Sequence, residues 1–398
     1  MAAALHLHSA GCTVVVIDKA RFPRDKCCGD GLTTGALREL AKIGFDPAGV
    51  PSWQRVDAAW VRSPRGHEIE FPFPQHVGLF GAVAPRREFD AALVRLGRSR
   101  GLDVREGIAS AGVTQDECGM TVTTAEGTDI RCRYVVAADG MWSPTRKQLG
   151  LSTPGYLGEW HAFRQYADHV TGSAAERLWV WFDADLLPGY AWSFPLPGGR
   201  ANLGFGVARS GRTSGHDLKA IWAGLTDRPH IRDALGPDAV LSDRHLAWPI
   251  PARIDKVTLG RGRALLVGDA AAATDPMTGE GIGQALLTGR LAAEAILAHP
   301  TTPPAMLTAY TRSVSRHLVA DHRLSVMLSR VLARERGASA SLRIAGSTAW
   351  TRRNFARWLF EDEPRAALFT PRRWHRGFLH RSGAYPPGSL YGSDPVTE

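Results

Sequence analysis

At 398 residues, 44% hydrophobic and 22% charged, the chain has the composition of a folded protein of two or three structural units, which excludes a disordered or fibrous one. Its net charge of +9 comes chiefly from arginines spread along the chain and densest after Arg352. No segment matches an RNA- or DNA-binding module, so the charge points to an anionic cofactor, an acidic membrane surface or solubility, and not to nucleic acid. Five cysteines (Cys12, Cys27, Cys28, Cys118 and Cys132) lack metal-ligand spacing, which predicts a reducing compartment and no metal site. With no signal peptide and no apolar run of about eighteen residues, a cytoplasmic protein, at most peripheral to a membrane, is expected.

Met1 to Ala10 is Ala-rich and helical in propensity, and Gly11 is placed as its C-terminal cap. Thr13 to Ile17 is a β-branched run that stops at Asp18. Helix, glycine turn, strand and carboxylate form the second half of a βαβ dinucleotide unit, with Asp18 placed to accept from a ribose hydroxyl. The strand and glycine-rich phosphate loop of the first half do not precede Met1, and a start about 15 to 20 residues upstream is expected from the length of those two pieces. Arg21 to Leu32, RFPRDKCCGDGL, is a loop by its Pro23, Gly29 and Gly31, and Arg21, Arg24 and Lys26 give it the charge to face a phosphate. Basic residues and glycine N–H groups around Cys28 favour its thiolate, which makes it the candidate for a role in catalysis or redox tuning; the plainer reading is a small buried side chain. A Cys27–Cys28 disulfide would be strained and is not expected.

Thr33 to Lys42 predicts a helix, ended by Gly44. Residues 53–73 alternate apolar and polar, with prolines at 64 and 72, and enter a separate antiparallel sheet. Arg86-Arg87-Glu88-Phe89-Asp90 opens a helix through about Arg100, and residues 104–130 read as a small meander. Tyr134 to Ala138 is a buried strand with Asp139-Gly140 at its carboxyl end, and a helix starts at Ser143 to Arg146. Residues 156–248 hold six of the twelve tryptophans, and alternation puts Tyr190, Trp192 and Phe194 on one strand face, lining an apolar slot or packing on the core. Ala264 to Gly268 is a second buried strand that presents Asp269 above the sheet. After Pro276, Gly279-Glu280-Gly281-Ile282 begins a helix to about Leu297, whose N-terminus is an anion site. Helices are expected over 319–332 and 340–360; in the latter, arginines 352, 353 and 357 alternate with Trp350, Phe355 and Trp358, which suits either an anionic bilayer or a solvated cap. The Pro-, Gly- and Ser-rich tail from Arg381 is expected to be disordered.

The Gly268-Asp269, Pro276, Gly279-Glu280-Gly281 string resembles the second FAD fingerprint of the flavin monooxygenase and geranylgeranyl reductase superfamily. Lys26-x-Cys28-Gly29-Asp30-Gly31-Leu32 resembles a segment of actinobacterial geranylgeranyl reductases, and Tyr190-x-Trp192-x-Phe194-Pro195 resembles their substrate-wall motif. The resemblance implies that Asp269 holds a ribityl hydroxyl of FAD and that Gly279 to Ile282 face the isoalloxazine. It also implies that Asp139 and Gly140 lie near the phosphates and ribityl chain, that Arg86 touches the cofactor with Asp90 as a structural carboxylate, and that Cys28 lies near the flavin ring. Asp139 and Asp269 should then meet at one rim.

The expected fold is α/β: a Rossmann-like FAD-binding domain with a parallel sheet (1–50, 78–155 and 249–318), an antiparallel-sheet substrate domain (51–77 and 156–248) and a C-terminal helical region and tail (319–398). The expected function is FAD-dependent reduction of C=C bonds of an isoprenoid or similar apolar substrate, with NAD(P)H or another reductant as electron donor. Alternatives are an FAD-dependent monooxygenase on the same scaffold and, from another class, a non-catalytic apolar-ligand binder or truncated flavoprotein.

Overall fold

The apolar runs that end in acidic residues form short parallel strands, and the aromatic segments form a broad second sheet. The structure is a computed structural model that describes residues 1–209, 215–374 and 377–389. Val15–Asp18 pairs in parallel with Asp103–Glu106, and Val135–Ala137 pairs in parallel with Ala264–Leu266, which Gly260–Arg261 flanks antiparallel. Ala264, Leu265 and Leu266 are wholly buried, as a parallel strand covered on both faces must be. The meander expected over 104–130 is shorter than that. Asp103–Glu106 belongs to the parallel layer, and only Ser110–Gln115, Met120–Thr124 and Asp129–Cys132 form the antiparallel unit. Its alternation reports one half-exposed face of a parallel strand, a pattern that a meander strand shares.

The helix Ala2–Ser9 packs on the long helix Ile282–Ala298, where small residues let the backbones close together. A Cβ at Gly289 would lie 3.2 Å from the Ala3 nitrogen and 3.3 Å from the Ala2 Cβ.

The second sheet has seven strands in the order Val240–Ile250, Trp160–Asp168, Arg200–Ala208, Tyr190–Leu196, Leu178–Trp181, Ala58–Arg62, Glu68–Pro72. All neighbours are antiparallel except Leu178–Trp181 and Ala58–Arg62, which run parallel. The 58–72 hairpin thus joins the same sheet as the tryptophan-rich segment, far along the chain.

C-terminal helices close the molecule, and the single helix expected over 340–360 is two, Glu335–Ala345 and Ala349–Leu359. Gly346 ends the first by donating to the Leu342 carbonyl (2.8 Å), and a Thr348–Thr351 capping box starts the second. The expected disorder from Arg381 fails as far as residue 389. Ala384 exchanges backbone hydrogen bonds with Leu79 (2.6 and 2.8 Å), and buried Tyr385 donates its hydroxyl to the Phe45 carbonyl at 3.0 Å. One aromatic anchor and one strand bridge outweigh a flexible composition; residues 390–398 lie outside the described residues. Among the described residues, no helix is long and apolar enough to cross a membrane.

Candidate active site

A cavity of about 1910 Å³ runs between the parallel layer and the seven-stranded sheet. Pockets for a single drug-sized ligand hold roughly 300–1,000 Å³, so there is space for more than one such molecule. From the parallel layer its wall carries Asp18, Asp139 and Asp269; from the seven-stranded sheet and the C-terminal helices it carries the apolar Val61, Val180, Leu328, Leu342 and Phe355. It also extends between Val15–Asp18 and Val135–Ala137, two strands that do not pair with each other.

The carboxylates sit where strand register puts them. Val135 faces Ala264 and Ala137 faces Leu266, so two further residues bring Asp139 level with Gly268-Asp269 at one sheet edge. The expected convergence of the two is therefore met. Their environments differ. Asp139 accepts from the Ser143 hydroxyl and from the Thr145 N–H (3.0 Å), and so serves the start of the short helix Pro144–Gln148 as well as the cavity wall. Asp269 is more loosely held, by Lys26 Nζ and the Thr274 hydroxyl, both at 3.4 Å. Asp18 ends its strand and turns the chain by accepting from the Ala20 N–H at 2.8 Å.

Beside Asp269, the helix Ile282–Ala298 begins at Gly281, an N-cap with no side-chain capping bond, and its N-terminus faces the cavity. Gly279 adopts φ 68°, a left-handed conformation natural to glycine. A Cβ at Gly281 would meet the Thr274 hydroxyl at 3.2 Å and approach Asp269. Gly140, Gly268, Glu280 and Ile282 also line the cavity, whereas Pro276 does not. The Pro276 carbonyl accepts from Ser329 on a C-terminal helix (3.4 Å), so this proline shapes the loop from behind and makes no wall.

Cys28 is where it was expected, on the wall, but its chemistry is different. Burial pushes its thiol up, outweighing the opposing pull of Arg86, so the expected thiolate is corrected to a thiol. Arg86 also lines the cavity, yet its guanidinium is bound in a two-pronged pair to Asp90 (2.9 and 2.8 Å), which Arg24 joins at 2.7 Å. Its charge is spent on a helical neighbour four residues on. The thiols of Cys27 and Cys28 are both free.

Tyr190, Trp192 and Phe194 form the expected aromatic wall, with successive ring centroids 6.1 Å apart. The Tyr190 hydroxyl donates to the Thr278 carbonyl, tying the wall to the loop before Gly279. Trp192 Nε1 donates to Asn202 (3.0 Å), whose amide in turn donates to the Cys28 carbonyl (2.9 Å) and to Asp30 (2.7 Å).

Two groups of buried polar residues, Glu280 apart, escaped the sequence reading. Asp30, with φ 66°, is fully buried beneath the Cys28 loop and accepts from Tyr166, Asn202 and the Arg86 N–H at 2.7, 2.7 and 3.1 Å. Burial raises its carboxyl to about 6 against the pull of Tyr166 and Asn202. The guanidinium of Arg164, only 2% exposed, stacks over the Tyr166 ring at 4.3 Å. The second group gathers Asp275, Glu280, Glu361 and Arg365. Arg365 pairs with Asp275 at 2.5 Å and Glu361 at 3.2 Å, and Gln284 donates to Glu361 at 2.8 Å. The buried Asp275 carboxyl is held below its ordinary range by Arg365, which overcomes burial, while burial raises both Glu280 and Glu361. The signal for Glu280 was visible as the central residue of Gly-Glu-Gly; nothing local announces Glu361 or Arg365.

A profile described as "FAD binding domain" matches residues 1–322. The chain belongs to that FAD-binding family. It is 34% identical over 315 residues to a menaquinone reductase of Mycobacterium tuberculosis, covering 74% of this chain and 72% of the relative. It is 31% identical over 292 residues to digeranylgeranylglycerophospholipid reductase 2 of Methanopyrus kandleri, covering 72% and 71%. A geranylgeranyl bacteriochlorophyll reductase-like structure from Thermoplasma acidophilum superposes with a TM-score of 0.77 at 22% identity, over 94% of this chain and 96% of that one, which establishes the shared fold. The geranylgeranyl reductase resemblance read from the motifs is thus upheld. The wall residues suit FAD: acidic acceptors for hydroxyls near three strand ends, a helix N-terminus that opens at a glycine and has the sign an electron-rich ring needs, and a glycine cradle that a Cβ would fill.

Proposed function

We propose that this protein is an FAD-dependent reductase that saturates C=C bonds of an isoprenoid chain, with NAD(P)H or another reductant as its electron donor. The observation that carries this reading is that one cavity holds both kinds of wall: its acidic, glycine-lined part suits a dinucleotide, and the same space is lined by Tyr190, Trp192 and Phe194 and by apolar side chains of the C-terminal helices. Relatives named menaquinone reductase and digeranylgeranylglycerophospholipid reductase support it. When bound, FAD would supply the hydride.

Within that reading the protein's own residues have distinct tasks. Asp18 receives a ribose hydroxyl; Asp139, Gly140, Gly268 and Asp269 hold the phosphate and ribityl region; the backbone of Gly279 to Ile282 faces the ring edge, with the Gly279 N–H held by the Asp275 carbonyl (3.0 Å). Cys28, as a neutral thiol, packs close to the ring. Arg86 acts through Asp90 and Cys28, and Pro276 only shapes its loop. Residues 1–50, 78–155 and 249–318 bind the cofactor, 51–77 and 156–248 wall the substrate, and the C-terminal helices cover its apolar end. Val331 both lines the cavity and is exposed, and Ile344, Trp350, Leu368, Phe369 and Trp374 are exposed on the same C-terminal region among arginines. This supports a cytoplasmic enzyme that meets its substrate at a membrane surface.

The test is anaerobic. Protein loaded with FAD and reduced with dithionite is given a geranylgeranyl lipid, and the product is weighed by mass spectrometry. A gain of two hydrogens per double bond without oxygen is expected. A product that forms only in oxygen and gains an oxygen atom would replace the reductase with a monooxygenase.

A further inference from the structure

The geometry points to Glu280 as the acid that protonates the substrate alkene, with Glu361 as its partner in holding and replacing that proton. The inference rests on the reductase reading above and adds the proton source that reading leaves open.

Three carboxyl groups, Asp275, Glu280 and Glu361, share one region with a single guanidinium, Arg365. Both terminal nitrogens of Arg365 are engaged: one meets Asp275 at 2.5 Å, and the other meets Glu361 at 3.2 Å and the Thr278 hydroxyl at 3.0 Å. Asp275 is the best-supplied acceptor, with the Met277 and Thr278 N–H groups at 2.9 Å and the Ser325 hydroxyl at 2.7 Å as well, so it stays ionised. Among the described residues no basic side chain lies within 4.0 Å of Glu280, and its Oε1 accepts from the Gly283 N–H at 2.5 Å. If all three carboxyls ionised, two negative charges would remain uncompensated away from water, so the group retains a proton. Glu280 and Glu361 are the two that hold it. Burial first, and the charge of Glu361 second, raise Glu280 to about 8. The groups that act on this pair are Arg365, Asp275, Gln284 and, more remotely, Asp321.

Position supplies the rest. Glu280 is on the cavity wall, one residue before Gly281 at the helix start, and Tyr190 on the same wall binds the Thr278 carbonyl two residues earlier. Glu361 is not on that wall, and its side chain keeps 16% of its surface exposed. Glu361 therefore stands off the cavity wall near Glu280, with part of its side chain still accessible to water. In the step, one alkene carbon takes the proton of Glu280: the π pair becomes the new C–H bond, and the O–H pair stays on the carboxylate. The other carbon takes the hydride that reduced flavin supplies. Glu361 returns a proton to Glu280 and recovers one from water.

The test combines protonation state with turnover. Infrared spectroscopy of the cofactor-free and FAD-loaded protein, without substrate, should show a buried carboxylic-acid carbonyl band at neutral pH that fades as pH rises through about 8. Glu280→Gln should lose that band, keep its FAD content, and lower kcat for alkene reduction roughly 100-fold, the lower limit of a general-acid effect, with KM little changed. Glu280→Asp should recover part of the rate. Glu361→Gln removes a neighbouring negative charge, so its band should fade at lower pH and the alkaline limb of its rate profile should move the same way. A band that survives in Glu280→Gln with its titration unmoved, or undiminished kcat in that variant, overturns the proposal. If Glu280→Gln does not fold, the wild-type titration decides, and no acid band at neutral pH overturns it. Wild-type protein that shows the band yet reduces no isoprenoid double bond refutes the reductase reading and this acid role with it, while the buried proton stands.

Discussion

Asp30 and Glu280 lie on two loops beside the same cavity, 0% and 9% exposed, and burial raises the carboxyl of each. Their surroundings then diverge. Asp30 receives a phenol, an amide and a backbone N–H, and it stops near 6. Glu280 receives a backbone N–H, stands near Glu361 and Asp275, and reaches about 8. The lesson is that burial alone does not make an acid; the number of donors aimed at the charged form decides how far the shift runs. One loop is organised to keep a carboxylate and hold the Cys28 segment in place, the other to keep a proton at the cavity wall.

The sharpest way to break this contrast is to remove the single cation of the second group. Arg365→Met leaves Asp275 and Glu361 buried without their partner, and breaking such a pair costs about 3–5 kcal/mol. A denaturant titration at neutral pH should show that loss, with part of it recovered on acidification as the carboxyls take up protons. A loss below about 1 kcal/mol would mean that the carboxyls are neutral in the wild type, and that Asp275 is no anion.

On the other side, Asp30→Asn leaves Asn202 or Tyr166 facing an amide in place of a carboxylate. The expected cost is about 1–3 kcal/mol in the same titration, the range for a buried donor left unsatisfied. The alkaline limb of the rate profile should not move, because Asp30 is not on the cavity wall. A displaced limb would assign the proton to Asp30.

How far this contrast could be read from the chain follows from its residues. Strand ends at Asp18, Asp139 and Asp269 were legible because an apolar run that stops at a carboxylate has few other uses. The Gly279–Gly281 helix start and the Tyr190 to Phe194 alternation were legible for the same local reason. Glu361 was not: it lies 81 residues from Glu280 and just beyond a helix end, with φ 58°, so no periodicity links the two. Arg86 reaches the cavity wall, and Asp90 one helical turn on was visible as its partner. For Cys28 the basic neighbours were visible but the burial that outweighs them was not. Residues 381–389 failed because composition cannot show that Tyr385 finds a buried carbonyl to bind.

Stability against pH separates the two carboxyls by window. A carboxyl raised in the folded state binds its proton more tightly there than when unfolded, so its contribution is complete below the unfolded value and is lost as pH rises through the folded one. Glu280 should therefore erode stability between its ordinary 4.5 and about 8, and Asp30 between 3.8 and about 6. Each proton contributes at most about 1.4 kcal/mol per pH unit. Melting temperatures measured across that range should flatten above about pH 6 in Glu280→Gln and only below it in Asp30→Asn. Equal flattening in both variants would erase the distinction.

The smallest and most specific change is Tyr166→Phe. It deletes one donor to Asp30 Oδ2, while Asn202 continues to donate to the same oxygen, so the loss in stability should be only about 0.5–1.5 kcal/mol. The informative result is the titration. With one fewer hydrogen bond to its charged form, Asp30 should climb above its present value of about 6 and approach the behaviour of Glu280. Infrared titration of Tyr166→Phe should then show a second acid band, fading at a pH between those of wild-type Asp30 and Glu280. If none appears, Asn202 and the Arg86 N–H alone hold the Asp30 charge, and Tyr166 serves chiefly as the surface on which Arg164 stacks.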